Sequence, residues 1–175
     1  MRTFLQWGQR VLLLIALLCL GFYAKVRLDA YLLDLGVEAP LLTGQTARIV
    51  GRLEIERLGL SAVVLDGTDS SSLLRGVGHV EGTALPQEPR GNVGIAGHRD
   101  THFRVLAEIQ PDDVIELATA QGRFRYRVDW ARVVEPDEVE VLAPTEGPAL
   151  TLVTCYPFRY IGSAPQRYIV RGSRI

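Results

Sequence analysis

The chain has 175 residues, of which 47% are apolar and 22% are charged, a composition ordinary for one globular domain with a short appendage. Its 19 basic and 20 acidic residues give a formal net charge of −1. Because there is no basic surplus, basic run or glycine-rich phosphate loop, the sequence argues against nucleic acid and nucleotides as partners.

An apolar run near the N-terminus predicts a membrane anchor. Residues 11–24 read VLLLIALLCLGFYA without a charge. This run is short for a bilayer span, which makes a cleaved signal peptide the alternative, but the expected cleavage region lacks small residues three apart. We therefore expect a cytoplasmic segment over residues 1–10 and an uncleaved single-pass anchor over residues 11–25.

The residues after the anchor predict a helix and then a linker. Residues 26–35 read VRLDAYLLDL, with apolar side chains at helical spacing. Pro40 and Gly44 then mark a linker, so residues 26–46 are predicted as a juxtamembrane helix and linker. The folded domain is expected over residues 47–175, outside the cytoplasm.

Short apolar stretches separated by glycine and proline predict a mainly β domain. Arg123–Trp130 reads RFRYRVDW, in which aromatic or apolar residues alternate with charged ones, as in a strand with one buried face. Helical segments are expected only at Ser70–Leu74 and Thr101–Ile109. The other predicted strands are Arg48–Ile55, Leu60–Leu65, Asn92–Ala96, Val114–Ala118, Ala149–Thr154 and Tyr168–Val170. This number of short strands without a βαβ rhythm favours a closed or nearly closed β-barrel.

Two cysteines are present, and only one of them lies in the predicted domain. Cys19 falls inside the apolar run, so a disulfide with Cys155 is not expected. Cys155 follows a predicted buried strand and precedes Tyr156 and Pro157, which places its side chain at the rim of the sheet. The thiol is either a buried structural cysteine or a nucleophile.

A histidine and an arginine are candidates to act with this thiol. His98 follows a predicted strand after Gly97, and an imidazole is the usual base beside a reactive thiol. Arg167 begins the last predicted strand, where its guanidinium could stabilise an oxyanion. Taken singly, His98 could instead be a loop-bonding imidazole and Arg167 a surface ion pair. His102 and Arg159 are their respective competitors.

Three segments of the chain resemble the sortase family. They are GNVGIAGHRDTHF at 91–103, TLVTC at 151–155 and QRYIVRG at 166–172. Their order and separation also agree with that family, and the wording of the histidine segment is most similar to classes D and E. The resemblance covers about residues 48–175.

The resemblance implies an eight-stranded β-barrel with short helices that works as a cysteine transpeptidase. Cys155 would attack a sorting signal such as Leu-Pro-x-Thr-Gly near the C-terminus of a protein substrate, and an amine of peptidoglycan or protein would resolve the thioacyl intermediate. His98 would be the acid and base and Arg167 the oxyanion or substrate clamp. We add Thr154, Tyr156 and His102 as predicted substrate contacts.

Several alternatives compete with this interpretation. His98, His102 and Cys155 could bind a metal, but Arg99 stands where a hydrolytic zinc motif has Glu. Two clusters of acidic residues, at 112–116 and 135–140, could suggest calcium but lack EF-hand spacing, so we predict no metal and no cofactor. The Ser-His-Gly-Cys signature of L,D-transpeptidases is missing around the thiol. A non-catalytic, membrane-tethered barrel that binds peptides is the alternative from another class.

Overall fold

The computed structural model describes residues 2–34 and 48–175, which form an N-terminal helix and a β domain. Helix α1 spans Arg2–Asp34 and contains an apolar segment, Gln6–Leu28, that is long enough to cross a membrane and has a mean hydropathy of 2.1. The helix therefore continues beyond the predicted anchor into the predicted juxtamembrane segment. The linker predicted around Pro40 and Gly44 lies outside the described residues.

The β domain is a closed eight-stranded barrel, as predicted. Its strands are β1 (Ile49–Ile55), β2 (Leu60–Asp66), β3 (Val77–His79), β4 (Gly91–Ala96), β5 (Val114–Thr119), β6 (Gly122–Val134), β7 (Pro148–Tyr156) and β8 (Gln166–Arg174). They close in the order β1-β2-β3-β4-β7-β8-β6-β5. The β2–β3 and β4–β7 pairs are parallel, and the other pairs are antiparallel. Closure leaves no free sheet edge.

Helical structure in this domain is limited to short segments. Helix α2 spans Ser70–Arg75, and Asp69 caps it by accepting from the backbone N–H groups of Ser71 and Ser72. The helix predicted near Thr101 is a 3-10 helix over His102–Glu108. Two further 3-10 helices lie at Glu56–Leu58 and Val139–Leu142.

The strands differ from the predicted ones chiefly in length. Strand β3 was not predicted, because three residues carry too little alternation to be recognised. Strand β6 continues to Val134, and β8 is nine residues long where only Tyr168–Val170 was predicted. Tyr126–Val134 of β6 pairs with Arg167–Arg174 of β8, and this pairing extends both strands beyond their apolar patterns.

Strand β7 is packed on both of its faces. Leu150 and Leu152 point into the main core inside the barrel. Val153 faces outward into a second cluster that the 3-10 helix Val139–Leu142 covers with Val141. Beneath this cover, the Thr151 hydroxyl donates to Asn92 Oδ1 at 2.6 Å. Both faces of β7 are thus filled over residues 150–153.

Candidate active site

Cys155 and Arg167 lie opposite each other on neighbouring antiparallel strands. The register of β7 and β8 pairs Cys155 with Arg167 directly. Cys155 shares the outward face of β7 with Val153, and Arg167 shares that of β8 with Ile169. Directly opposed residues in such a pair have neighbouring side chains. Both residues are half-buried, so neither side chain is sealed off from solvent.

His98 joins this pair from the other side of β7. Strands β4 and β7 are parallel, and Ala96 is in register with Val153. His98 and Cys155 each lie two residues further along, and the backbone N–H of Gly97 still donates to the Val153 carbonyl at 3.1 Å. Because parallel strands end at the same edge, the three predicted catalytic residues meet at one end of the barrel.

The turn that carries His98 is fixed by a close contact and two hydrogen bonds. A Cβ on Gly97 would lie 2.7 Å from the ring of Phe103, which is fully buried beneath it. The backbone N–H of Phe103 donates to the His98 carbonyl at 3.1 Å. From β7, the Thr154 hydroxyl donates to the Gly97 carbonyl at 2.7 Å. The Phe103 ring thus lies too close to Gly97 for a side chain at that position.

The residues predicted to contact substrate occupy different places. Thr154 is only 2% exposed, and its hydroxyl is engaged with Gly97. This placement favours a positioning role for Thr154 over direct contact with a substrate. His102 is half-buried at the start of its 3-10 helix, four residues after His98.

Tyr156 belongs to an aromatic cluster on the inner side of β7. Its ring stacks on Tyr168 at 6.1 Å and meets Phe158 edge-on at 5.9 Å. Phe158 and Tyr168 also pack against the main core. Burial, and secondarily Tyr156, raises the pKa of the Tyr168 phenol, which therefore stays neutral at physiological pH. The cluster supports the strand end from behind, on the face opposite Cys155.

The arginine opposite the thiol is Arg167, and not its competitor Arg159. Arg159 is exposed in the segment between β7 and β8. Arg167 Nη1 donates to the carbonyls of Gln166 at 2.9 Å and Ala164 at 3.2 Å. These bonds use one of its nitrogens, so the guanidinium retains N–H groups for a substrate oxygen.

The reactive groups of the other two residues are available. Across residues 2–34 and 48–175, no hydrogen bond engages the His98 ring or the Cys155 thiol. In that same part of the chain, no three His, Cys, Asp or Glu side chains are grouped to hold a metal ion. The arrangement thus offers a thiol, an imidazole and a permanent cation that can act on one carbonyl.

Sequence reasoning missed one residue of this region. Arg99, considered only as an argument against zinc, is buried and bonds to carbonyls of the segment between β7 and β8. No sequence pattern reveals this role, because its partners are backbone atoms about sixty residues away.

Comparison with known proteins agrees with this geometry. The model of the family described as "Sortase domain" matches residues 53–175. The chain belongs to the sortase family. It is 36% identical over 132 residues to Sortase D of Bacillus subtilis, with 75% of this chain and 66% of that protein covered. It is 37% identical over 123 residues to Sortase SrtE1 of Streptomyces coelicolor, with 60% of this chain and 35% of that protein covered.

Solved sortase structures share the barrel. A Clostridium perfringens Sortase D5 transpeptidase superposes with a TM-score of 0.65 at 31% identity, covering 73% of this chain and 79% of that one. A pilus-related Sortase C of Group B Streptococcus superposes with a TM-score of 0.68 at 28% identity, covering 75% of this chain and 69% of that one. This sortase spans just under two thirds of the length of Sortase D and about one third of the length of Sortase SrtE1.

Proposed function

We propose that this sortase is a cysteine transpeptidase that cleaves a sorting signal and transfers the acyl part to an amine. The observation that carries the proposal is that Cys155 ends β7, Arg167 pairs with it on β8, and His98 lies in the turn just after β4, at the same end of the barrel. Membership of the sortase family and the similarity to a sortase described as a transpeptidase support the same activity.

The chemistry follows from the three side chains. The Cys155 thiolate attacks the scissile carbonyl carbon, and the resulting oxyanion is stabilised by Arg167. His98 gives a proton to the departing amine as the carbon–nitrogen bond breaks, which leaves a thioester on Cys155. An incoming amine loses a proton to His98, attacks the thioester carbon and releases the thiolate. The substrates proposed are proteins with a signal similar to Leu-Pro-x-Thr-Gly, and the acceptor is an amine of peptidoglycan or protein.

The N-terminal helix suggests where the reaction takes place. The 23-residue segment Gln6–Leu28 is apolar enough to span a bilayer. We propose that it is an uncleaved single-pass anchor with the catalytic domain on the extracytoplasmic side, where sorting signals and cell-wall amines are found.

The activity is tested with the full-length protein in detergent and a panel of sorting-signal peptides. With an active peptide, intact mass should show an acyl adduct on Cys155, and hydroxylamine should release it as a hydroxamate. Cys155→Ala and His98→Ala should each abolish both products while the circular-dichroism spectrum stays unchanged.

The same experiment separates the alternatives. Peptide binding without an adduct or a hydroxamate across a pH series would support the non-catalytic peptide-binding barrel. Transfer by Cys155→Ala would contradict the assigned nucleophile. Nothing in the comparisons favours an L,D-transpeptidase.

A further inference from the structure

Arg99, the residue after His98, is buried in a cage of carbonyl oxygens. Its side chain is only 6% exposed. Nη1 donates to Pro157 O at 2.9 Å, and Nη2 donates to Tyr160 O at 2.8 Å and to Gly162 O at 3.3 Å. The guanidinium also lies 5.8 Å from the centre of the Tyr160 ring.

All three carbonyls belong to the β7–β8 loop, defined here as residues 157–165. This loop has no helix or strand of its own, so its conformation depends on bonds to other segments. At its middle, Ile161 is fully exposed and contributes no packing. Three bonds converging from residues 157–162 onto one planar cation can therefore define the shape of the loop.

Stability alone is a weak reason for this buried charge. Among the residues that the structure describes, the only carboxylate paired with Arg99 is that of Asp100, at 3.3 Å, and this carboxylate is 72% exposed. Because water screens an exposed carboxylate, this ion pair offsets little of the free energy needed to bury a guanidinium. A buried charge held mainly by loop carbonyls instead favours one loop conformation over others.

The loop that Arg99 holds also holds Arg167. It connects Cys155 on β7 to Arg167 on β8, and its Ala164 carbonyl accepts from Arg167 Nη1 at 3.2 Å. On the other side, Arg99 directly follows His98. One side chain thus connects the histidine turn to the loop that orients the arginine.

We propose that Arg99 is a positioning residue that fixes the β7–β8 loop and, through Ala164, sets the direction of the Arg167 guanidinium relative to His98 and Cys155. The proposal rests on the proposed transpeptidase function for its effect on the reaction, but the loop contact can be measured without that reaction.

The effect on the reaction is tested in full-length protein with Arg99→Gln and Arg99→Lys. Arg99→Gln should lower kcat for hydroxamate formation by roughly 10- to 100-fold with a small change in KM, because misplaced catalytic groups slow the chemical step. Arg99→Lys should recover part of the loss, since an ammonium can serve some of the carbonyls.

A double-mutant cycle with Arg167→Lys distinguishes positioning from general damage. If Arg99 acts through Arg167, Arg99→Gln should cost less than about 3-fold in the Arg167→Lys background. Equal losses in both backgrounds would overturn the proposal.

Limited trypsin digestion gives a readout that needs no activity. Arg159 is an exposed cleavage site inside the loop, and Arg90 is an exposed site in the separate segment before β4. Arg99→Gln should raise cleavage after Arg159 relative to cleavage after Arg90 by at least about 10-fold, because local opening governs proteolysis. An unchanged ratio would refute the loop contact even if no active peptide were found.

Arg57→Gln is the matched control. It also removes one guanidinium and its hydrogen bonds, but these join Asp113 and the Glu108 carbonyl, away from the β7–β8 loop. Arg57→Gln should leave kcat per folded molecule unchanged, and the ratio of cleavage after Arg159 to cleavage after Arg90 should also stay the same. If wild-type protein shows no Cys155-dependent transfer while Arg99→Gln still opens the loop, the proposed function fails and the loop contact stands.

Discussion

At the scale of single residues, two of the proposed catalytic side chains are positioned by the residue that precedes each of them in the chain. Gly97 and Thr154 are joined by a 2.7 Å hydrogen bond, and each directly precedes a proposed catalytic residue, His98 and Cys155 respectively. The two reactive groups are thereby positioned through adjacent residues that do not themselves react. Arg167, in contrast, is held by carbonyls of its own loop.

The role of Arg167 predicts a large effect for a substitution that preserves its charge. Arg167→Lys removes the planar fork that can bond both loop carbonyls and an oxyanion, so we expect kcat to fall by about 10²-fold. Hydroxamate release measured over a range of peptide concentrations separates kcat from KM. A loss confined to KM would indicate that Arg167 binds substrate without stabilising the oxyanion.

At the scale of elements, the histidine turn depends on packing between Gly97 and the 3-10 helix that follows it. Phe103, on that helix, is fully buried directly beneath the glycine. The turn therefore has no space for a side chain at residue 97, whatever its backbone angles are.

Gly97→Ala should destabilise the domain and reduce transfer. The new methyl group would lie 2.7 Å from the Phe103 ring, and overpacking of this kind costs about 1–3 kcal/mol. Urea unfolding measures the loss of stability, and hydroxamate release measures activity. Phe103→Leu should recover part of both in the double variant, and the lack of any recovery would show that the ring is not the obstacle.

At the scale of the whole molecule, ion pairs join parts of the barrel that are distant in sequence. Arg57, on the 3-10 helix between β1 and β2, binds both carboxylate oxygens of Asp113, which precedes β5. The side-chain hydrogen bond from Arg57, aided by the Gln110 N–H, lowers the pKa of Asp113 against the opposing effect of burial.

This lowered pKa predicts how stability depends on pH. A folded pKa below the unfolded value, about 3.9 for Asp, gives stability that is complete above pH ~4 and is lost as the pH falls toward the folded pKa. Arg57→Gln should lower the free energy of unfolding at pH 6 and flatten its decline below about pH 4. Urea titrations of both proteins test this, and parallel pH curves would contradict it.

The N-terminal helix gives a second prediction at this scale. Deletion of residues 2–34 removes the one candidate span among the described residues and should move the protein from the membrane fraction to the soluble fraction. Because the barrel closes entirely within residues 49–174, the shortened protein should keep its hydroxamate activity. Persistent membrane association after the deletion would point to a second attachment.

Local sequence patterns were enough to predict the fold class and to single out the candidate catalytic residues. Alternating side chains and glycine–proline punctuation reflect local backbone preferences, and the predicted closed barrel is confirmed. Cys155, His98 and Arg167 could be singled out because each lies at a predicted strand end and within a motif that resembles the sortase family. Their catalytic roles remain a proposal that the geometry supports.

The surroundings of those residues, in contrast, could not be predicted from local patterns. The direct pairing of Cys155 with Arg167, the inward orientation of Thr154 and Tyr156, and the carbonyl cage of Arg99 all depend on strand register and loop packing. Register comes from contacts between segments far apart in the chain, and backbone carbonyls are the same in every residue type. A local sequence pattern therefore contains no information about which carbonyls a buried arginine will bind.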